Sequence, residues 1–566
     1  MQGAFLRLLL VASLQLCHSR FLRHAEDVPV HDQQETCSPL TNHGTYSSVR
    51  VRVGTPPQHF DLVADTGSNN CIVMDCECAQ CPQDWGKCFT GAGKSKTFEL
   101  PKYKSKNPLL GSKGKFLPAS TLLTFGSGQI AAHVATDEVG VGHTHAFMKN
   151  GLLLMVDQAL RLQGPFEGIL GLGRPEVKLS GKVNHTGGEL DIHVPGYAEA
   201  AGVQRFSMCF NKEADGVLGL HTPEHPTRLE SVGQIHWGVD FHGISIGEGK
   251  NRHKVKFCNP KDKQPGQETI CGLIPDSGTT MITGPESQLA DLYMDLCSKW
   301  PRCEKAFSEV SKEMHDLQAQ GMQVGLSLTQ HATVPEDLAD ALKKLQDAMK
   351  AGGKADPGNA ADIADILGGA ADVEAAKSQK DYMKANVFLL LLEHCEDWAE
   401  GVDLDKELPK LNFHVAGLNG AETELSLNPK TYIMTANAEI KVPEIKNLGG
   451  LNIQIERRKK GKVCMPAFQP APFTTKLNGE VWIMGTPLFY EYTAHYDRGS
   501  EDGKVKPSMA FTHADEEPCG SCQNNRILRE THPSLTQKKT EKTGVESLRQ
   551  LTKAPIVRNF TSTHSL

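Results

Sequence analysis

The stretch Phe60–Val73, FDLVADTGSNNCIV, runs apolar into one aspartate, turns through Thr-Gly-Ser, and becomes apolar again. An ionised carboxylate loses much of its hydration when it leaves water, so Asp65 at the end of an apolar run needs a reason. Alone, it reads as an aspartate that ends a strand and accepts backbone N–H bonds in the turn. Gly272–Pro285, GLIPDSGTTMITGP, repeats the design around Asp276. Each copy also has a support further on. Phe166–Gly173, FEGILGLG, follows the first and Trp482–Thr486, WIMGT, the second, each placing two apolar residues before a glycine, Gly171 and Gly485. The chain is therefore internally duplicated, with two Asp-Thr/Ser-Gly turns and two apolar strands able to back them.

At 566 residues the chain exceeds what one hydrophobic core organises, so at least two packed units are expected. Residues 1–19 read as a signal peptide: an early Arg7, an apolar Leu8–Cys17, then small or polar residues. Residues 20–43 read as a short leader or prosegment. Later apolar runs such as Val387–Leu392 fall short of the roughly 18 to 20 residues that a membrane span needs. There are 16 cysteines, and behind a secretory leader they favour disulfides. If Cys17 leaves with the leader an odd number remains, which implies an unpaired or intermolecular thiol.

The spacings within Cys71, Cys76, Cys78, Cys81 and Cys88 imitate a zinc site, and CGSC at Cys519–Cys522 imitates a redox motif. The first lacks a second Cys/His cluster and the second lacks a strand-helix context, so no metal and no cofactor is expected. Sequons at Asn184 and Asn559 agree with passage through the secretory pathway. The net charge of −7 is modest and the longest basic tract is ERRKKGK at Glu456–Lys462, so nucleic acid is not an expected partner.

Residues 44–235 and 236–514 share a texture of short apolar or alternating runs broken by Gly, Pro and Asn, which predicts two β-rich lobes. Within the second, residues 300–398 change character. Ala, Leu, Lys and Glu dominate and apolar residues recur at three- and four-residue spacing, which predicts a helical insertion, with Gly352–Asp362 as a connection inside it. Residues 515–566 are polar, basic and poor in aromatics, and are expected to be a disordered tail.

The duplicated turns and supports resemble those of pepsin-type aspartic proteases over roughly Tyr46 to Ala514. The resemblance implies a mainly β, bilobal pepsin-like acid protease fold, with Asp65 and Asp276 facing each other as a catalytic pair on the floor of a cleft. Two close carboxylates share one proton and titrate as a unit. The ionised member then activates a water while the protonated member bonds the scissile carbonyl. The family pattern has Thr66 and Ser277 cross-bonding to the opposite lobe. Gly67 and Gly278 leave room for backbone N–H groups to approach the carboxylates, and Ser68 and Thr279 orient them by hydroxyl bonds.

TLLTFGSGQIAAHV, Thr121–Val134, supplies a hairpin lid around Gly126 and Ser127. Phe125 and Ile72 stand where the family carries a hydrogen-bonded Tyr and Trp, so an apolar contact replaces that bond. Cys271 matches a family cysteine with Cys258 as its partner, and Cys395 and Cys464 match the flanks of a later bridge. The resemblance further implies polypeptide substrates, a monomer, and a secreted or lysosomal/vacuolar location.

Two other readings compete. GISIG at Gly243–Gly247 fits the G-x-S-x-G of serine hydrolases and is followed by His394, His414 and His495. That motif needs a strained strand-to-helix elbow, whereas Ile244 and Ile246 alternate as in a plain strand. His143 and His145 likewise read as strand neighbours rather than metal ligands. The alternative from another class is a non-catalytic binding or inhibitor protein on the same scaffold. Retention of both aspartates and both turn glycines favours the enzyme.

Overall fold

A computed structural model describes residues 35–104, 116–160, 165–174, 182–185, 188–191, 193–319, 375–448, 451–500, 502–524 and 526–528. The signal peptide, most of the leader, Gly352–Asp362, Asn559 and the tail beyond residue 528 lie outside the described residues. The elements below belong to one unit, Thr36–Leu566.

The first lobe is built from β1 (Thr36–Asn42), β2 (Ser47–Val53), β3 (Gln58–Asp65), β4 (Cys71–Met74), β5 (Ser120–Phe125), β6 (Gly128–Val141), β7 (Thr144–Gln158), β8 (Gly168–Gly171), β9 (Arg205–Cys209) and β10 (Gly216–Leu220). β2 shows why these segments are strands. SSVRVRV alternates Val49, Val51 and Val53, which are buried, with Arg50 and Arg52. The second lobe carries β11 (Val239–Ile246), β12 (Cys271–Pro275), helices α1 (Glu286–Lys299), α2 (Pro301–Ala319) and α3 (Ala375–Glu393), then β13 (Leu411–Ala416), β14 (Ile433–Leu448), β15 (Leu451–Pro466), β16 (Gly479–Met484), β17 (Tyr492–Asp497) and β18 (Ser508–His513). The chain is mainly β and bilobal, as the duplicated texture implies.

One 13-stranded sheet orders the first lobe as β18-β17-β9-β10-β1-β2-β3-β8-β4-β7-β6-β5, with Leu229–Glu230 outside β18. β17 and β18, which come last in sequence, thus return to the first lobe's sheet. β17 pairs antiparallel with β9, from Arg205 opposite Asp497 to Met208 opposite Ala494. In the second lobe β13, β11, β12 and β16 lie side by side. The duplication is visible in the pairing. β3 lies parallel to β8, with Asp65 opposite Gly171, and β12 lies parallel to β16, with Pro275 opposite Met484.

The described helices are part of the core. α1 buries Leu289, Leu292 and Leu296, α2 buries Cys303 and Phe307, and α3 buries Ala385, Phe388 and Leu392, each set at helical spacing. Trp300 packs edge-on against Phe388 and Trp398, with ring centroids 5.9 and 5.1 Å away. These residues join the cluster that contains Phe413 and Trp482 of the β-sheet. Helical composition therefore marks a change of secondary structure and not a separate core at this end of the segment.

Among the described residues seven disulfides are formed: Cys37–Cys522, Cys76–Cys88, Cys78–Cys81, Cys209–Cys519, Cys258–Cys271, Cys297–Cys303 and Cys395–Cys464. Among the described residues Cys71 is the free thiol, buried, and burial pushes it up to about 12.

Two sequence boundaries move. Thr36–Asn42, assigned to the leader from sequence, is a strand of the first sheet, paired with β2 and β10. Residues 515–528, assigned to a disordered tail, include a hairpin pairing Ser521–Gln523 with Arg526–Leu528. The reason is covalent. Cys519 and Cys522 are bonded to Cys209 and Cys37, not to each other, and pin polar sequence that has little apolar surface to bury.

Candidate active site

Asp65 ends β3 and Asp276 follows β12, so each carboxylate sits where a strand stops and the chain turns. The two turns satisfy their carboxylates in the same way. Gly67 N–H donates to Asp65 Oδ1 at 2.8 Å and Ser68 Oγ–H to Oδ2 at 2.5 Å. Gly278 N–H donates to Asp276 Oδ1 at 2.9 Å and Thr279 Oγ1–H to Oδ2 at 2.6 Å. Each carboxylate is held at both oxygens by its own turn, which fixes its plane.

The turns also exchange bonds across the lobes. Thr66 N–H donates to Ser277 Oγ and Ser277 N–H to Thr66 Oγ1, both at 3.0 Å. The same hydroxyls donate onward, Thr66 Oγ1 to Pro275 O at 3.0 Å and Ser277 Oγ to Ala64 O at 2.7 Å. Thr66 and Ser277 are fully buried, so none of these four bonds has water to compete with it. The exchange sets the carboxyls side by side, close enough for each to act on the other.

Glycine is required on both sides. A Cβ on Gly67 would fall 2.6 Å from Asp276 Cγ, and one on Gly278 would fall 2.7 Å from Asp65 Cγ. Each glycine packs against the opposite lobe's carboxyl, and any side chain there pushes the pair apart.

Residues 46–306 match the model of the eukaryotic aspartyl protease family. Over this region the chain is similar to the pepsin-like aspartic proteases. It is 26% identical to mouse napsin-A over 279 residues, covering 44% of this chain and 57% of that protein. It is 24% identical to guinea-pig cathepsin E over 253 residues, covering 43% and 55%. It is 27% identical to vacuolar protease A of Aspergillus fumigatus over 253 residues, covering 43% and 54%. The matched region spans about half the length of these curated relatives.

In this pepsin-like chain the two aspartates are not equivalent. Asp65 is buried while Asp276 is partly exposed. Burial first, and the neighbouring Asp276 second, push the Asp65 carboxyl well above the usual carboxylate range, against the bonds from Ser68 and Gly67 that favour its charge.

The hairpin of β5 and β6 turns at Gly126-Ser127, with Phe125 opposite Gly128. Phe125 packs on a cluster of buried residues that includes Ile72, Trp85 and Ile130. Phe125 and Ile72 thus share one apolar environment.

Sequence reading missed a second layer around the first turn. His236 Nδ1 lies 3.0 Å from Gly67 O, and because a carbonyl only accepts, that nitrogen carries a proton and donates. The next residue, Trp237, donates from Nε1 to Leu172 O at 2.9 Å, and Leu172 N–H donates to Asp65 O at 2.6 Å. The segment joining the lobes therefore grips both the Asp65 turn and its supporting strand. Nothing in the spacing of HWG marks this, because the contacts reach 169 and 65 residues back along the chain.

The competing serine motif resolves differently. Ser245 Oγ lies 2.8 Å from His414 Nε2, and His414 Nδ1 is 3.5 Å from Glu424, a Ser-His-Glu line. Ser245 is buried within β11, near its end, paired with Asn412 on one side and Lys254 on the other, so it has neither an elbow nor access. Burial lowers the His414 imidazole, which Glu424 only partly offsets. Among the described residues no group of His, Cys, Asp and Glu could hold a metal ion, and no helix is long and apolar enough to cross a membrane.

Proposed function

We propose that the chain is an aspartic endopeptidase that hydrolyses peptide bonds with one water held between Asp65 and Asp276. The reading rests on the reciprocal Thr66–Ser277 exchange, which sets one buried and one partly exposed carboxyl against each other's turns. The pair shares a single proton, and burial favours its place on Asp65. Asp276 takes a proton from the water as its oxygen attacks the carbonyl carbon, while Asp65 gives its proton to the carbonyl oxygen. The resulting gem-diol collapses as Asp276 returns a proton to the amide nitrogen. The C–N bond breaks, and Asp65 regains a proton from the second hydroxyl. Neither carboxylate forms a covalent bond to substrate.

The paired arms of the β5–β6 hairpin serve as the lid that excludes water, with Phe125 resting on the Ile72 cluster. Substrates are polypeptides. The seven disulfides favour folding and action along the secretory route, in a secreted or lysosomal/vacuolar compartment, and the chain acts as a monomer.

Hydrolysis of a denatured protein, followed across pH with and without the transition-state mimic pepstatin, tests the reading. Activity is expected in a bell with an acidic optimum, inhibited by pepstatin and abolished in both Asp65→Asn and Asp276→Asn. Tight binding of the denatured protein without cleavage would assign a binding module instead.

A further inference from the structure

Tyr496 of β17 is 1% exposed, and its hydroxyl has no hydrogen-bond partner. A buried hydroxyl without a partner costs stability, and phenylalanine would fill the same space without that cost. Such a group needs a physical reason. Its surroundings supply one. The ring stacks on Phe206 of β9, with centroids 4.7 Å and planes 14° apart, and leans on Trp237 at 5.1 Å. Trp237 is the residue whose indole bonds Leu172 O, while Leu172 N–H bonds Asp65 O. The three rings therefore lie against the support of the first turn, and the two aromatic neighbours fix the plane of the phenol.

The hydroxyl comes close enough to the Thr66 side chain to interact with it, and the charge of Asp276 reaches it as well. Burial raises this phenol, with Thr66 acting against the rise and Asp276 adding to it. It is thus a neutral donor wherever a carboxyl pair titrates, and not an acid. The bonds of Thr66 leave one place for that donor. Oγ1 gives its own proton to Pro275 O and accepts from Ser277 N–H, which uses one of its two lone pairs. The other lone pair is open to a hydroxyl whose proton no acceptor takes. Charged groups near Tyr496 along the strands face elsewhere. Arg205, His495 and Asp497 adjoin it in sequence or register, but alternation puts them on the opposite face of the sheet. The residue opposed to it on β18 is Met509. From the joining segment, His236 bonds Gly67 O.

We propose that Tyr496 is a positioning residue for the aspartate pair: held by Phe206 and Trp237, its O–H turns to the open lone pair of Thr66 Oγ1 when the pair is charged and stabilises that charge through the interlobe exchange. In the neutral pair the hydroxyl stays unpartnered, so its stabilising effect appears only with the charge. The proposal deepens the reading of Asp65 and Asp276 as one titrating unit and rests on it.

Short-peptide hydrolysis by the full chain across pH, parent against Tyr496→Phe, tests it through kcat/KM, which reports the free enzyme. The hydroxyl favours the charged pair, so without it the pair binds protons more tightly. Both limbs of the bell should move to higher pH, by about half a unit to one unit. A second readout needs no activity. In urea midpoints taken from about pH 3 to neutrality, Tyr496→Phe should equal or exceed the parent at the acid end, where the pair is neutral, and fall behind it as the pair ionises. His236 and the other histidines are common to both proteins, so their titration cancels in the difference. A parent that cleaves nothing refutes the catalytic reading and leaves the urea series to decide the role of Tyr496. A bell that Tyr496→Phe leaves in place or moves to lower pH, or a midpoint difference that is constant across pH, assigns the hydroxyl to packing and overturns the proposal.

Discussion

Replacing Thr66 by valine removes one hydroxyl while keeping the β-branched shape, and the structure says which groups it strands. Thr66 Oγ1 accepts from Ser277 N–H and donates to Pro275 O, both at 3.0 Å, in a fully buried position. Valine leaves that amide donor, and one acceptor site of that carbonyl, without water. A buried unpaired polar group costs about 1–3 kcal/mol, so the substitution should cost about 2–4 kcal/mol, a large share of the roughly 5–15 kcal/mol available to a folded domain. Ser277→Ala strands a different pair, Thr66 N–H and Ala64 O, at similar cost. Because both losses act on one interlobe junction, the double variant should show a coupling of about 0.5–3 kcal/mol.

Urea unfolding followed by tryptophan fluorescence reads the stability, and kcat/KM on a short peptide reads the dyad. A displacement of about 1 Å between the carboxyls is enough for a roughly hundredfold loss. Thr66→Ser keeps the oxygen and should recover most of both. If Thr66→Val lies within about 0.5 kcal/mol of the parent with kcat/KM unchanged, the exchange is absent in solution and the placement of the two turns is wrong.

Other outcomes follow from the same geometry. Asp65 has its folded pKa raised above the unfolded value, so the native state holds a proton that the unfolded chain has lost, and stability from this group is full below the unfolded pKa and lost as pH rises through the folded one. Asp65→Asn should therefore gain stability over the parent as pH is raised from about 4 to neutrality, measured as the urea midpoint at each pH; a gap that does not widen refutes the protonation assignment. In the flap, Phe125→Tyr adds a hydroxyl facing apolar neighbours and Ile72→Trp overfills a fully buried site, so each should lower kcat/KM. The pair can form a hydrogen bond worth about 1 kcal/mol, and strict additivity in the cycle would show that the two positions do not meet. His236→Phe removes the donor to Gly67 O and should lower kcat with little change in KM, whereas His236→Asn, which keeps a donor, should recover part of the loss; equal losses in both would assign His236 to packing alone.

Much of the candidate site was legible because its chemistry is local. The bonds from Gly67 and Ser68 to Asp65 span two and three residues, and those from Gly278 and Thr279 to Asp276 do the same, so one short motif encodes each half. The supporting strands are also readable, since an apolar-apolar-Gly run buried on both faces needs no alternation. β-rich texture and helical periodicity give the class of each segment for the same reason: they are properties of neighbours in sequence.

What the sequence by itself determined is thus the pair of turns, their supports, and the two-lobe β-rich character with helices in the second. Tertiary structure alone decided how the halves meet. Thr66 and Ser277 are 211 residues apart, and only their mutual burial makes the exchange. His236 and Trp237 reach the first turn because β17 and β18 return to the first lobe's sheet and the joining segment lies against it. Cys519 and Cys522 convert a polar stretch into ordered structure through partners 310 and 485 residues away. Each of these depends on which distant groups share a water-excluded space, and no local pattern records that, because a buried hydrogen bond or disulfide is set by the approach of two surfaces and not by the neighbours of either residue.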